Sequence, residues 1–197
     1  MSFSKFTWIC LSMVIALIPR TTGAQVISAA EHQYSPFAVG VGASLFTPDF
    51  NGGSMMGVAF WGDYRPPILV RHIGGLSIAA EVRDLNYLRS SSQSKLREDT
   101  YLAGFRYEWQ RYASVRPYGR AMMGYGSIEF PPIGTYHHDS REVTAFTGGV
   151  DLRLHEDVWV RADYEYQIWP NLFGAGIHPQ GVTVGVMYNF RSRRKGF

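Results

Sequence analysis

Gly181-Val-Thr-Val-Gly-Val-Met-Tyr-Asn-Phe190 is the stretch from which the fold of this chain is read. In an extended strand Val182, Val184, Val186, Tyr188 and Phe190 share one face, and Thr183, Gly185, Met187 and Asn189 share the other. The first face suits lipid or a protein core, and the second is small and polar. A run from 181 to 190 also matches the roughly nine to eleven residues with which a tilted strand crosses a bilayer, and its terminal aromatic suits a membrane-water boundary. Such a strand needs partners.

The same contrast of faces recurs upstream and predicts eight strands in all. Phe37, Val39, Val41, Ala43 and Leu45 oppose Ala38, Gly40, Gly42 and Ser44. In the second strand Met56, Val58, Phe60 and Tyr64 oppose Met55, Gly57, Ala59 and Asp63, with Trp61 breaking the pattern. The third sets Leu76, Ile78, Ala80 and Val82 against Ser77, Ala79, Glu81 and Arg83. The fourth sets Tyr101, Ala103, Phe105, Tyr107 and Trp109 against Thr100, Gly104, Arg106 and Glu108. The fifth, near Val115 to Ser127, places Arg116 and Arg120 opposite Ala121, Met123 and Tyr125. Phe146, Val150, Leu152 and Leu154 oppose Ala145, Thr147, Gly149, Asp151 and Arg153 in the sixth. The seventh is the clearest, with Val158, Val160, Ala162, Tyr164, Tyr166 and Ile168 facing away from Arg161, Asp163, Glu165 and Gln167.

The first residues read differently. Lys5 precedes the apolar run Trp8 to Ile18, followed by Pro19, Arg20 and the small stretch Thr21-Thr22-Gly23-Ala24, as in a secretory signal peptide cut before Gln25. The run is too short for a membrane-spanning helix. Cys10, the only cysteine, lies within it, so a mature chain has no disulfide, thiolate zinc site or thiol nucleophile. Losing Lys5 and Arg20 takes the 19 bases to 17 against 16 acids, and four of those bases crowd the tail (Arg191, Arg193, Arg194, Lys195). That leaves no basic surface for nucleic acid. The expected organisation is a signal peptide at 1–24, a periplasmic lead-in at 25–35, an all-β barrel at 36–190 and a basic tail at 191–197.

Alternation does not say which face is inside, because a soluble lipid-binding calyx buries the apolar face while a membrane barrel turns it to lipid. Three features favour the membrane. The polar face mixes Gly, Ala and Ser with isolated charges, as a narrow interior requires. Its cations are all arginine, which pairs multidentately when buried, whereas the two lysines beyond the leader, Lys95 and Lys195, lie outside strands. Aromatics gather near strand ends, at Phe60, Trp61, Tyr64, Trp109, Tyr112, Phe130, Trp169 and Phe190, as in interfacial girdles. Long connections (Thr47–Gly53, Leu85–Glu98, Ile128–Ser140, Trp169–Gln180) alternate with short ones at Arg111–Ser114 and His155–Asp157. The stretch Arg65–Gly75, with Pro66-Pro67, is too long for a tight turn and leaves the start of the third strand open.

Tyr101-Leu-Ala-Gly-Phe-Arg-Tyr107, Arg116-Pro-Tyr-Gly-Arg-Ala-Met-Met-Gly-Tyr-Gly126 and the closing Val182–Phe190 resemble the small eight-stranded outer-membrane β-barrels, the group of the OmpA-type transmembrane domain and the opacity-type, porin-like surface proteins. The resemblance implies an antiparallel up-and-down transmembrane barrel in the bacterial outer membrane, reached through the secretory pathway. It also implies that the barrel-assembly machinery reads Val182, Val184, Val186, Tyr188 and Phe190 as an insertion signal. The partners it implies are outer-membrane lipid and an extracellular ligand on the outer loops, with no nucleic acid.

Glu81, Arg83, Arg106, Glu108, Arg116, Arg120, Asp151, Arg153, Arg161, Asp163 and Glu165 are expected to point inward as a salt-bridged plug of six bases and five acids, since eight strands leave room only for side chains. Other chemistry is weakly signalled. Tyr136-His137-His138-Asp139 holds metal-ligand types, but neighbours in an extended loop point apart, and the stretch reads as a polar loop tip. A barrel-type hydrolase would need a histidine with a serine and an orienting acid near the outer rim, whereas His155 falls on a short turn at the other end and His178 lies in a loop with no neighbouring serine, so no catalytic site is expected. Gly40-Val-Gly42 and Gly124-Tyr-Gly126 lack the following helix of a phosphate loop and read as small interior residues. No cofactor is expected. The function read here is structural or adhesive, through the outer loops, with a narrow channel and a secreted calyx as the alternatives.

Overall fold

In the closing strand, Val182, Val184, Val186, Tyr188 and Phe190 are exposed while Thr183, Met187 and Asn189 are buried. The computed structural model describes residues 35–49, 53–87, 96–109, 114–129, 138–172 and 175–190. Its strands are β1 (Phe37–Thr47), β2 (Met55–Tyr64), β3 (Leu76–Tyr87), β4 (Arg97–Glu108), β5 (Val115–Glu129), β6 (His138–Arg153), β7 (Val158–Leu172), β8 (Ala175–Ile177) and β9 (Gln180–Phe190). Every pairing is antiparallel. Neighbours in sequence pair from β1 to β7, β7 pairs with β9, and β9 returns to β1 with Phe37 opposite Phe190. Eight long strands therefore close into a barrel with no free edge, and β8 only prolongs the β7 hairpin through Trp169↔Ile177 and Leu172↔Ala175.

Outward positions are apolar on all eight long strands, among them Val41, Phe60, Val82, Phe105, Met123, Phe146, Tyr164 and Val184. A calyx would have the opposite sense. With no hydrophobic core between sheets, the outer surface meets lipid and the interior is packed with whatever the inward positions supply.

Most of the described residues among those expected in long loops are strand. Leu85 extends β3, Glu98 lies in β4, Ile128 in β5, Asp139 and Ser140 in β6, and Trp169 in β7, and β5 and β6 stay paired out to Glu129↔His138. The awkward Arg65–Gly75 stretch holds a short helix, α1 (Pro67–His72), a turn of helix that the apolar pattern did not signal. It opens with Pro67 inside its first turn, where the missing N–H costs nothing. After it, Gly75 has φ +92° and passes so close to the Glu108 carbonyl that a side chain would overlap it. The third strand then starts at Leu76. The expected signal peptide, the lead-in up to residue 34, the basic tail, Lys95, Tyr112, Phe130, Tyr136 and His137 lie outside the described residues.

Candidate functional site: the barrel interior

Arginines and carboxylates from six strands meet inside the barrel. At the end that carries Phe37 and Phe190, Glu108 takes Arg65 at 2.6 Å, Arg116 at 3.2 Å and Arg106 at 3.1 Å. Arg116 is half-buried at this rim and stacks on the Trp159 ring, 4.2 Å from its centroid. One rung deeper, Arg106 and Arg161 share two acids. Asp63 accepts from Arg106 at 3.0 Å and from Arg161 at 2.6 Å, while Asp151 pairs with Arg106 and accepts from Arg161 Nε at 2.9 Å.

Tyr118 joins this layer to the next. The Arg106 and Arg161 guanidiniums lie 4.3 and 4.9 Å from its ring centroid, and its hydroxyl donates to Asp163 at 2.5 Å. Arg120 also donates to Asp163, at 3.2 Å, and to Glu81 at 2.7 Å. Arg83 pairs with Glu81 and donates to Glu165 at 2.7 Å. Glu165 is further held by the Thr147 hydroxyl at 3.0 Å and the Gln167 amide at 2.8 Å, and Trp169 Nε1 donates to Gln167 Oε1 at 2.7 Å. Arg83, Arg106 and Arg161 are fully buried. Each guanidinium offers five donors in a fixed fork, so one arginine bridges two or three strands where a lysine would bridge fewer.

Beyond Arg83 the interior turns apolar. The Arg83 guanidinium lies 4.2 Å from the Phe46 ring centroid, and Phe46, Met55, Leu85, Leu96, Leu102, Met122, Ile128, Val143, Trp169 and Ile177 form one buried cluster toward the end opposite the termini. Glycines make room for the large interior rings. A Cβ on Gly40 or Gly185 would overlap the Trp61 indole, one on Gly126 would overlap Trp169, and one on Gly181 would overlap Phe46.

Of the eleven residues expected inside, Glu81, Arg83, Arg106, Glu108, Arg116, Arg120, Asp151, Arg161, Asp163 and Glu165 belong to this network. Arg153 does not. It keeps inward parity, but β5 has ended one rung earlier at Val115↔Leu152, so Arg153 is exposed at the rim. Three buried charges were missed. Asp63 sits in phase with Gly57 and Ala59, so period two alone identifies it. Arg65 follows in the same phase just past the end of β2, at the start of the connection too long for a tight turn. Glu98, assigned to a loop, is buried beside the apolar cluster, and neither carboxylate oxygen has a hydrogen-bond partner among the described residues.

Two tryptophans expected at the lipid boundary are inside instead. Trp61 and Trp169 are buried because their phase is that of Asp63 and Gln167, whereas Phe60, Tyr64, Trp109 and Phe190 are exposed. His155 is exposed in the turn at the terminus end. His178 stacks on Tyr166 at the opposite end, with ring centroids 5.7 Å apart. His138 begins β6 opposite Glu129, and no group of three or more metal-ligand side chains occurs among the described residues.

The sequence model of the outer membrane protein beta-barrel domain family matches residues 21–190. Among solved structures, the chain is similar to Neisserial surface protein A, at 16% identity and a TM-score of 0.65 over 79% of this chain and 98% of that one. It is similar to Ail, the attachment invasion locus protein of Yersinia pestis, at 16% identity and a TM-score of 0.55 over 78% and 96%. Outer membrane protein OprG from Pseudomonas aeruginosa aligns at 12% identity and a TM-score of 0.56 over 82% and 98%. Curated protein sequences give no match.

Proposed function

This chain belongs to the outer membrane protein β-barrel family and resides in the bacterial outer membrane, and we propose that it works there as a closed scaffold whose outer connections make contacts at the cell surface. The observation that carries this reading is the continuous side-chain network from Glu108 to Trp169, continued by the apolar cluster around Phe46 and Leu85. Ions crossing this interior would have to break several desolvated arginine-carboxylate pairs at once, and breaking one such pair costs about 3–5 kcal/mol. With the interior occupied, the part of the molecule left to make contacts is the set of connections opposite the termini. In barrels of even strand number these face outward, and the termini face the periplasm. Loops on a rigid scaffold are where binding residues lie.

The rest of the reading is consistent with this role. Residues 1–24 direct export, Val182, Val184, Val186, Tyr188 and Phe190 present the closing strand to the assembly machinery, and no catalytic site is assigned. Ail has been crystallised with the heparin analogue sucrose octasulfate. A polysulfated sugar is therefore the first surface ligand to offer this barrel. Single-channel recording in planar bilayers, paired with titration of sucrose octasulfate onto the barrel in lipid nanodiscs, tests the proposal. Silent membranes are expected. Stable conductance steps would reject the closed scaffold and favour the narrow channel.

A further inference from the structure

Apolar side chains that face water without cause are costly, and α1 carries two. Ile68 is 68% exposed and Ile73, just after the helix, is 50% exposed, beside exposed Arg71 and His72. The segment is held at the rim from both sides. Before it, the Arg65 backbone N–H donates to Pro36 O at 2.8 Å and the Arg65 side chain reaches Glu108 at 2.6 Å. After it, Gly75 O accepts from the Glu108 N–H at 2.9 Å. Tyr64 and Ile78, the last pair of β2 and β3, both belong to the exposed apolar belt that meets lipid, and α1 lies in the connection that joins them.

We propose that α1 is an interfacial anchor lying among the phospholipid headgroups of the periplasmic leaflet, with Ile68 and Ile73 against the acyl chains and Arg71 among the phosphates. Arg71 and His72 follow Ile68 by three and four residues and so lie on its side of the helix, which puts the basic groups level with the phosphates when the isoleucine reaches the headgroup-acyl boundary, where anionic lipid attracts a cation. The occupant is lipid because the segment joins the lipid-facing pair Tyr64 and Ile78 and its exposed charged side chain, Arg71, is basic. The inference rests on the membrane reading above, and the controls below separate the two.

The test places nitroxide labels at Ile68→Cys and Ile73→Cys in a Cys10→Ser background, with the barrel in vesicles of phosphatidylethanolamine and phosphatidylglycerol. Val58→Cys on the lipid-facing belt and His155→Cys in the periplasmic turn are the references. Power saturation with oxygen and with a nickel chelate reads depth. A several-fold rise in the oxygen-to-nickel ratio at 68 and 73 over His155, toward the Val58 value, is expected. A ratio equal to that at His155 would overturn the proposal and leave the isoleucines for a periplasmic protein. A water-like ratio at Val58 would instead reject the membrane reading. As a label-free check, Ile68→Asp/Ile73→Asp should speed hydrogen exchange of the α1 amides in vesicles, and unchanged exchange would overturn the proposal.

Discussion

Asp63 Oδ2 accepts a hydrogen bond from Arg161 Nη2 at 2.6 Å across the barrel interior, tying β2 to β7 over 98 residues of chain. The same oxygen accepts from Arg106 of β4 at 3.0 Å, so one carboxylate holds three strands that are not neighbours in the sheet.

Removing Asp63 leaves two buried guanidiniums short of a partner. Asp63→Ala is expected to cost about 3–5 kcal/mol. The temperature at which the folded form disappears on unheated gels should fall well below that of the parent. Asp84→Ala removes an ion pair to Arg97 in which both side chains are nearly half exposed, and should change stability by about 0–1 kcal/mol. Equal effects of the two substitutions would contradict the buried network.

Gly40 faces the Trp61 indole with no room for a side chain. Gly40→Leu should therefore overpack the interior and destabilise the barrel by about 1–3 kcal/mol. In a Gly40→Leu/Trp61→Ala double variant the new side chain occupies the vacated space, so the combined cost should be smaller than the sum of the singles. Additive losses, measured by urea unfolding in detergent, would show that the two positions do not share that space.

Glu98 is buried with both carboxylate oxygens unpartnered among the described residues, while Glu165 one rung away is held by Arg83, Thr147 and Gln167. Burying an unpaired polar group costs stability and satisfying it removes that cost. Glu98→Leu is accordingly expected to raise the unfolding temperature, and Glu165→Leu to lower it. The pair of heat-modifiability curves reads the sign directly.

Phe190 is exposed to the lipid side, where its ring lies 5.8 Å from Phe37 and 5.0 Å from Tyr188. Phe190→Ala should leave the stability of barrel refolded in detergent almost unchanged and reduce the amount assembled in the outer membrane of cells. A matched loss in both measurements would make Phe190 a packing residue rather than an insertion signal.

Much of the interior was legible because period two is strict in a closed barrel. Arg106, Arg120 and Arg161 are inward by counting alone, and Asp63 is equally countable from Ala59. Counting fails where a strand outlasts or falls short of its apparent pattern. Leu85, Glu98 and Ile128 sit in stretches that look like loops because polar residues flank them, yet cross-strand pairing continues through them, Leu85↔Glu98 and Glu98↔Ile128, and keeps them inward. Arg153 fails in the other direction, since its parity is right but β5 has ended beside it and only β7 remains, through Arg153↔Trp159. Trp61 looks like a boundary aromatic until Gly40 and Gly185 are seen to give it space within the barrel.

By itself the sequence determined the alternation, the number of long strands, arginine as the cation of the interior and the exposed apolar outer face of a membrane barrel, because each follows from local chemistry at a spacing of two. Only the tertiary structure decided which carboxylate meets which guanidinium, that Glu98 meets none among the described residues, that the interior changes from charged to apolar beyond Arg83, and that α1 lies at the rim. Those outcomes depend on register and on closure of β9 against β1, which bring together side chains as far apart in the chain as Phe37 and Phe190 and leave no trace in any one strand.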